Sequence, residues 1–133
     1  MISKALCLAA ASLFGASLIG VSAQAAPSGQ QLFLDNCSAC HRPNGQGVKG
    51  AFPSLVADPI ATGEAKAAAL KVLNGRGGMP AFKASLPDET IAAVLTYVRS
   101  SWGNKAGPVT TAIVAAARGA GAGRQVQSGQ QAH

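Results

Sequence analysis

The chain has 133 residues, is 48% hydrophobic and 12% charged, and carries a formal net charge of +6. That length allows one domain plus whatever is processed away. The basic residues are scattered and aromatics make up only 5% of the chain, which excludes the clustered basic and aromatic surface expected of a nucleic-acid binder.

In chain order, Lys4 supplies a positive n-region, Ala5 to Val21 form an apolar run, and Ala23-Gln24-Ala25 fits a small-x-small cleavage pattern. Residues 1–25 therefore read as a signal peptide, with Ala26 beginning the mature chain. An uncleaved membrane anchor is the alternative. The apolar run is at the short end of the roughly 17–25 residues that span a bilayer, and the cleavage sequence follows at once. Removal is favoured, with no stable membrane insertion afterwards and a periplasmic location. Cys7 lies at the beginning of the apolar run, not at its end, which fails a lipoprotein reading. Cleavage leaves Cys37 and Cys40 as the only cysteines and lowers the net charge to +5.

Ser28 to about Cys40 reads as a helix, capped by Ser28 and with Leu32, Phe33 and Asn36-Cys37 at helical intervals. Arg42 to Pro59 is a loop rich in glycine and proline. Thr62 to Asn74 reads as a second helix, with Thr62 as cap and Asn74-Gly75 as stop. Gly75 to Leu86 is a second loop, containing Gly77-Gly78-Met79-Pro80. A third helix runs from Pro87 or Asp88 to about Ser101, with Ile91, Val94, Leu95 and Val98 on one stripe. Asp88 and Glu89 at its start and Arg99 at its end suit the helix dipole. An extension begins near residue 104. Within it, Val109 to Arg118 reads as a further short helix with Ile113, Ala116 and Ala117 on one side. Residues 119–133 are low in complexity and are expected to be disordered. No stretch alternates as a strand, so the class is all-α. Long loops between three short helices are odd in a bare bundle, and residues 26–118 are few for a self-sufficient core. A bound cofactor would explain both.

Cys37-Ser38-Ala39-Cys40-His41 is the spacing of a covalent c-type haem attachment site. Cysteines three apart share one helical face about a turn apart, so both reach one macrocycle, while His41 can bind its iron. A zinc site would need four ligands, and the mature chain offers only these three and the distant His133. A dithiol oxidoreductase would place the pair at a helix N-terminus after a strand. Met79 is the only methionine of the mature chain and sits in a loop, not on a helix stripe. It is the expected second axial ligand, giving the His/Met ligation of electron-transfer haem proteins.

Together these residues resemble the class I cytochromes c over about Ser28 to Trp102. The resemblance implies the cytochrome c fold, three main short helices and long loops wrapped around one covalent haem c. It implies that Gly29 and Phe33 pack against Tyr97 of the last helix. It also implies that Pro53, twelve residues after His41, accepts a hydrogen bond from that histidine and fixes its orientation. The run from Tyr97 to Thr110 is similar to small cytochromes that serve periplasmic dehydrogenases or copper nitrite reductases.

The expected function is that of a single-electron carrier, not an enzyme, because two protein ligands saturate the iron. Its partners would be redox proteins: a dehydrogenase, a reductase or an oxidase. Arg42, Lys49, Arg76 and Lys83 would form a rim for an acidic docking surface, or act only as solvated charges. The alternative is a dedicated cytochrome subunit of a dehydrogenase complex.

Overall fold

Ser28 starts the first helix as the sequence predicts, its hydroxyl accepting from the Gln31 amide at 3.2 Å. The computed structural model describes residues 25–129. The expected signal segment before Ala25 and residues 130–133 of the expected tail lie outside the described residues. In chain order the helices are α1 (Gly29–Asn36), α2 (Ser38–His41), α3 (Ala65–Asn74), α4 (Asp88–Ser100) and α5 (Thr111–Gly129). Among the described residues the only strand-like pairings are two isolated bridges, Val48 with Phe52 and Arg76 with Met79. The all-α class and the cytochrome c fold hold.

Three boundaries differ from the sequence reading. The first helix breaks at Cys37, whose amide closes α1 on the Phe33 carbonyl at 2.9 Å before a separate turn carries Ser38 to His41. Thr62 does not cap α3. Its hydroxyl donates to the Asp58 carbonyl at 2.7 Å within the preceding turn, and the helix begins three residues later without a side-chain cap. Finally, α5 continues to Gly129, where disorder was expected from Gly119. Its first turns are packed against the rest of the molecule, so the costly nucleation step is met there and each further residue adds one helical bond.

Two apolar clusters hold these helices. In one, α1 crosses α4. Gly29 permits the approach, since a Cβ there would sit 2.4 Å from the Ala93 carbonyl oxygen and 3.1 Å from the Tyr97 Cβ. Phe33, fully buried, then packs with Tyr97 and Trp102 at ring-centroid distances of 5.6 and 5.2 Å. Trp102 also lies over Gly45, closing the core beneath α4. In the second cluster, Ala69 and Leu73 of α3 and Ile91 and Leu95 of α4 meet Val114 and Ala117 of α5. The buried stripe of α5 is thus Val114 and Ala117 with Ile113 beside it; Ala116 is exposed. A short register of small residues gave no way to separate these faces by pattern.

Candidate cofactor-binding site

The pentapeptide is set by local hydrogen bonds. The Cys37 carbonyl accepts from the amides of Cys40 at 3.2 Å and His41 at 3.0 Å, and the Ser38 carbonyl accepts from Arg42 at 2.8 Å. These bonds make one turn of helix, so both sulfurs and the imidazole leave the backbone from adjacent positions on it. Both cysteines are unpaired and partly buried. Burial, and then the neighbouring Cys40, push the Cys37 thiol up to about 11.

His41 is 8% exposed. Its Nδ1–H donates to the Pro53 carbonyl at 2.9 Å. That bond leaves Nε2 as the ring nitrogen with a free lone pair. Gly47 makes the arrangement possible. It adopts φ +63°, and a Cβ there would sit 2.3 Å from the Phe52 oxygen and 2.5 Å from the Pro53 oxygen. The Gly47 amide also donates to the His41 carbonyl at 2.9 Å. The loop from Arg42 to Pro53 therefore folds back on itself to bring the proline carbonyl to the imidazole.

Met79 comes from the loop after α3. Its amide and carbonyl pair with those of Arg76, each at 3.1 Å. The chain can turn this tightly because Gly75 has φ +63° and its missing Cβ would collide with the Met79 oxygen at 2.3 Å. Gly77 and Gly78 meet no protein atom within 4 Å of an added Cβ. Downstream, the amides of Phe82 and Lys83 donate to the carbonyls of Val72 and Leu73 at 3.1 and 3.2 Å. These bonds tie the loop to the end of α3.

Cys37, Cys40, His41, Pro53 and Met79 all line one cavity of about 360 Å³. Its apolar walls come from α1 through Phe33, from α4 through Val94, Leu95 and Val98, and from the loops through Phe52 and Pro80. Lys71 and Arg76 bring positive charge to it. Two thiols, an imidazole with one nitrogen free, a thioether and apolar walls form the donor set that a covalent haem needs, and the two cations suit its propionates. The residues fit the group. Arg42, Lys49, Arg76 and Lys83 are all exposed.

Sequence reasoning missed three residues that hold the walls in place. Asn104, 7% exposed, donates to the carbonyls of Leu55 and Val98 at 3.0 and 2.9 Å and accepts from the Ala57 amide at 2.8 Å. It locks the loop on one side of the cavity to the end of α4. Arg99 was read as complementing a helix dipole. It is 5% exposed, and its guanidinium donates to the carbonyls of Gly107, Ala61 and Gly63 at 2.6, 2.8 and 2.9 Å. Asp58 accepts from the amides of Ile60 and Ala61 at 3.0 and 2.7 Å and shapes the turn beside the cavity.

Residues 24–98 match the family described as cytochrome c oxidase, cbb3-type, subunit III. The chain is similar to the cytochrome c subunit of the quinone alcohol dehydrogenase of Komagataeibacter europaeus, 32% identical over 120 residues, covering 80% of this chain and 26% of that protein. It spans about a quarter of the length of that relative. It is also similar to cytochrome c6 of Leptolyngbya boryana, 42% identical over 77 residues, covering 55% of this chain and 88% of the relative. With cytochrome c-552 of Thermus thermophilus it shares 36% identity over 102 residues, 65% of this chain and 68% of the relative.

Proposed function

This chain is a member of the cytochrome c family, binds one haem c covalently and works in electron transfer, and we propose how its own residues do so. Cys37 and Cys40 would form the thioether links, and His41 Nε2 and the Met79 sulfur would hold the iron. The bound group supplies a one-electron couple at its iron. The observation that carries this reading is the convergence of both thiols, the Pro53-anchored imidazole and the Met79 thioether on one apolar cavity.

The residues then divide the work. Pro53 fixes the His41 ring and makes the imidazole a stronger donor through its Nδ1–H bond. Met79, a soft neutral ligand, favours the reduced state. With both positions taken by the protein, no site is left for oxygen or substrate, which argues for a carrier and against an enzyme. The apolar walls exclude water, so little solvent must reorganise when charge moves. The exposed cations of the two loops that wall the cavity give an acidic partner a place to dock.

The carrier works in the periplasm after the signal segment is removed, exchanging electrons with a dehydrogenase, a reductase or an oxidase. A reduced-minus-oxidised spectrum of the mature protein, recorded beside Met79→Ala, tests the reading. The wild type gives a low-spin c-type spectrum with two axial ligands, and the variant loses the sixth ligand while keeping the covalent group. A wild type without a c-type spectrum overturns the assignment.

A second reading is favoured by one observation, the likeness over 80% of this chain to a dehydrogenase cytochrome subunit. Under it, the protein is a resident subunit of a dehydrogenase complex. Stoichiometric co-purification with a dehydrogenase would separate it from a free carrier.

A further inference from the structure

The segment that follows Met79 is held from a second side by a residue outside the family match. That match ends at residue 98, and α5 begins at Thr111. From α5, the Arg118 guanidinium reaches back across the loop. It donates to the Lys83 carbonyl, to the Leu86 carbonyl at 3.0 Å and to Asp88 Oδ1 at 2.7 Å. The same carboxylate oxygen lies 2.6 Å from the second terminal nitrogen. Charge-assisted bonds of this kind are stronger than neutral ones, and a planar guanidinium holds several at once without rearranging.

The geometry makes Arg118 a clamp. Its platform is rigid, because Val114 and Ala117, one turn and one residue before it, are fully buried against α3 and α4. Its targets are Lys83 to Asp88, the stretch joining the Met79 loop to the start of α4. On the other side, Phe82 and Lys83 bond through their amides to the end of α3. The Lys83 peptide is therefore gripped from both directions, four residues from Met79. Met79 itself is bound to the protein through its pair of backbone bonds to Arg76. A shift of the loop between Gly75 and Leu86 would carry the sulfur away from the iron, and the clamp resists that shift at its downstream end.

We propose that Arg118 is a positioning residue for Met79, setting how often the thioether leaves the iron, and that α5 stiffens the ligand loop through it. The proposal rests on the reading of Met79 as axial ligand. The test uses the haem-loaded full chain and measures the association rate of imidazole with the ferric protein at neutral pH, a rate limited by Met79 departure. The thioether-to-iron charge-transfer band is recorded alongside. Arg118→Gln should keep that band and bind imidazole about tenfold faster, with Arg118→Lys intermediate. Asp88→Asn removes the carboxylate from the same clamp and should accelerate binding in the same direction, so the test survives if Arg118→Gln does not fold. Tyr97→Leu, which loosens the packing of α1 on α4 without touching the clamp, should lower thermal stability and leave the rate unchanged. Equal rates in wild type, Arg118→Gln and Asp88→Asn would overturn the proposal, as would an equal acceleration in Tyr97→Leu. Absence of the band in the wild type would instead overturn the ligand assignment.

Discussion

Gly47→Ala tests whether the loop geometry, and not merely the proline, delivers the carbonyl to His41. Alanine at φ +63° is strained by about 1–2 kcal/mol. Its Cβ would also lie 2.3 and 2.5 Å from two backbone oxygens, where ordinary contact begins at 3.4 Å. Those oxygens belong to main chain and cannot swing aside, so the Pro53 carbonyl must retreat by about 1 Å, at an overpacking cost of about 1–3 kcal/mol. The retreat stretches the 2.9 Å bond from His41 Nδ1 beyond hydrogen-bonding range, a further loss of about 1 kcal/mol. The natural control is Gly50→Ala. Gly50 has φ +81° with nothing within 4 Å of an added Cβ, so it incurs the strain alone. Denaturation of the two holo-variants should therefore differ by at least about 2 kcal/mol. Redox titration should give a higher midpoint potential for Gly47→Ala, because a less basic imidazole stabilises ferric iron less. Equal stabilities for the two variants, or an unchanged potential in Gly47→Ala, would refute the reasoning.

Two more outcomes follow from buried groups. Before haem attachment, Cys37 with its proton loss raised from 9.0 to about 11 should be alkylated at pH 8 about a hundredfold more slowly in the folded chain than in denaturant, since thiolate is the reacting form. The rate should climb as pH rises toward 11, and equal rates in both states would show that the haem-free chain does not bury this thiol. Arg99→Met leaves the carbonyls of Gly107, Ala61 and Gly63 without their buried donor, so the urea midpoint should fall by an equivalent of about 2–4 kcal/mol. Arg99→Lys should recover only part of it, and an unchanged midpoint in Arg99→Met would show the bonds to be dispensable.

The parts of this molecule legible in its sequence are those set by neighbours in the chain. The stripe of α4 recurs at helical spacing, and Cys37 to His41 is one turn whatever surrounds it. The stop after Asn74 needs only Gly75. What stayed hidden depends on partners far along the chain. Asn104 bonds to residues 47 and 49 positions upstream, and Arg99 to residues 36 and 38 upstream. In sequence, each is one polar residue near a helix end. Thr62 was misplaced for a related reason: a hydroxyl before a helix can cap it or close the preceding turn, and only the position of the Asp58 carbonyl decides. The length of α5 was hidden because its support is tertiary, from Val114 and Ala117.

The same helix constrains traffic. Although α5 packs on α3 and α4, none of its residues from Thr111 to Ala120 lines the cavity, whose non-helical walls are the exposed loops around Ala51 to Ile60 and Arg76 to Phe82. A carrier that exchanges electrons through those loops would present one face to both donor and acceptor, and the two would take turns at it. Each would act as a competitive inhibitor of the other, and turnover at high partner concentration would be governed by how quickly the first departs.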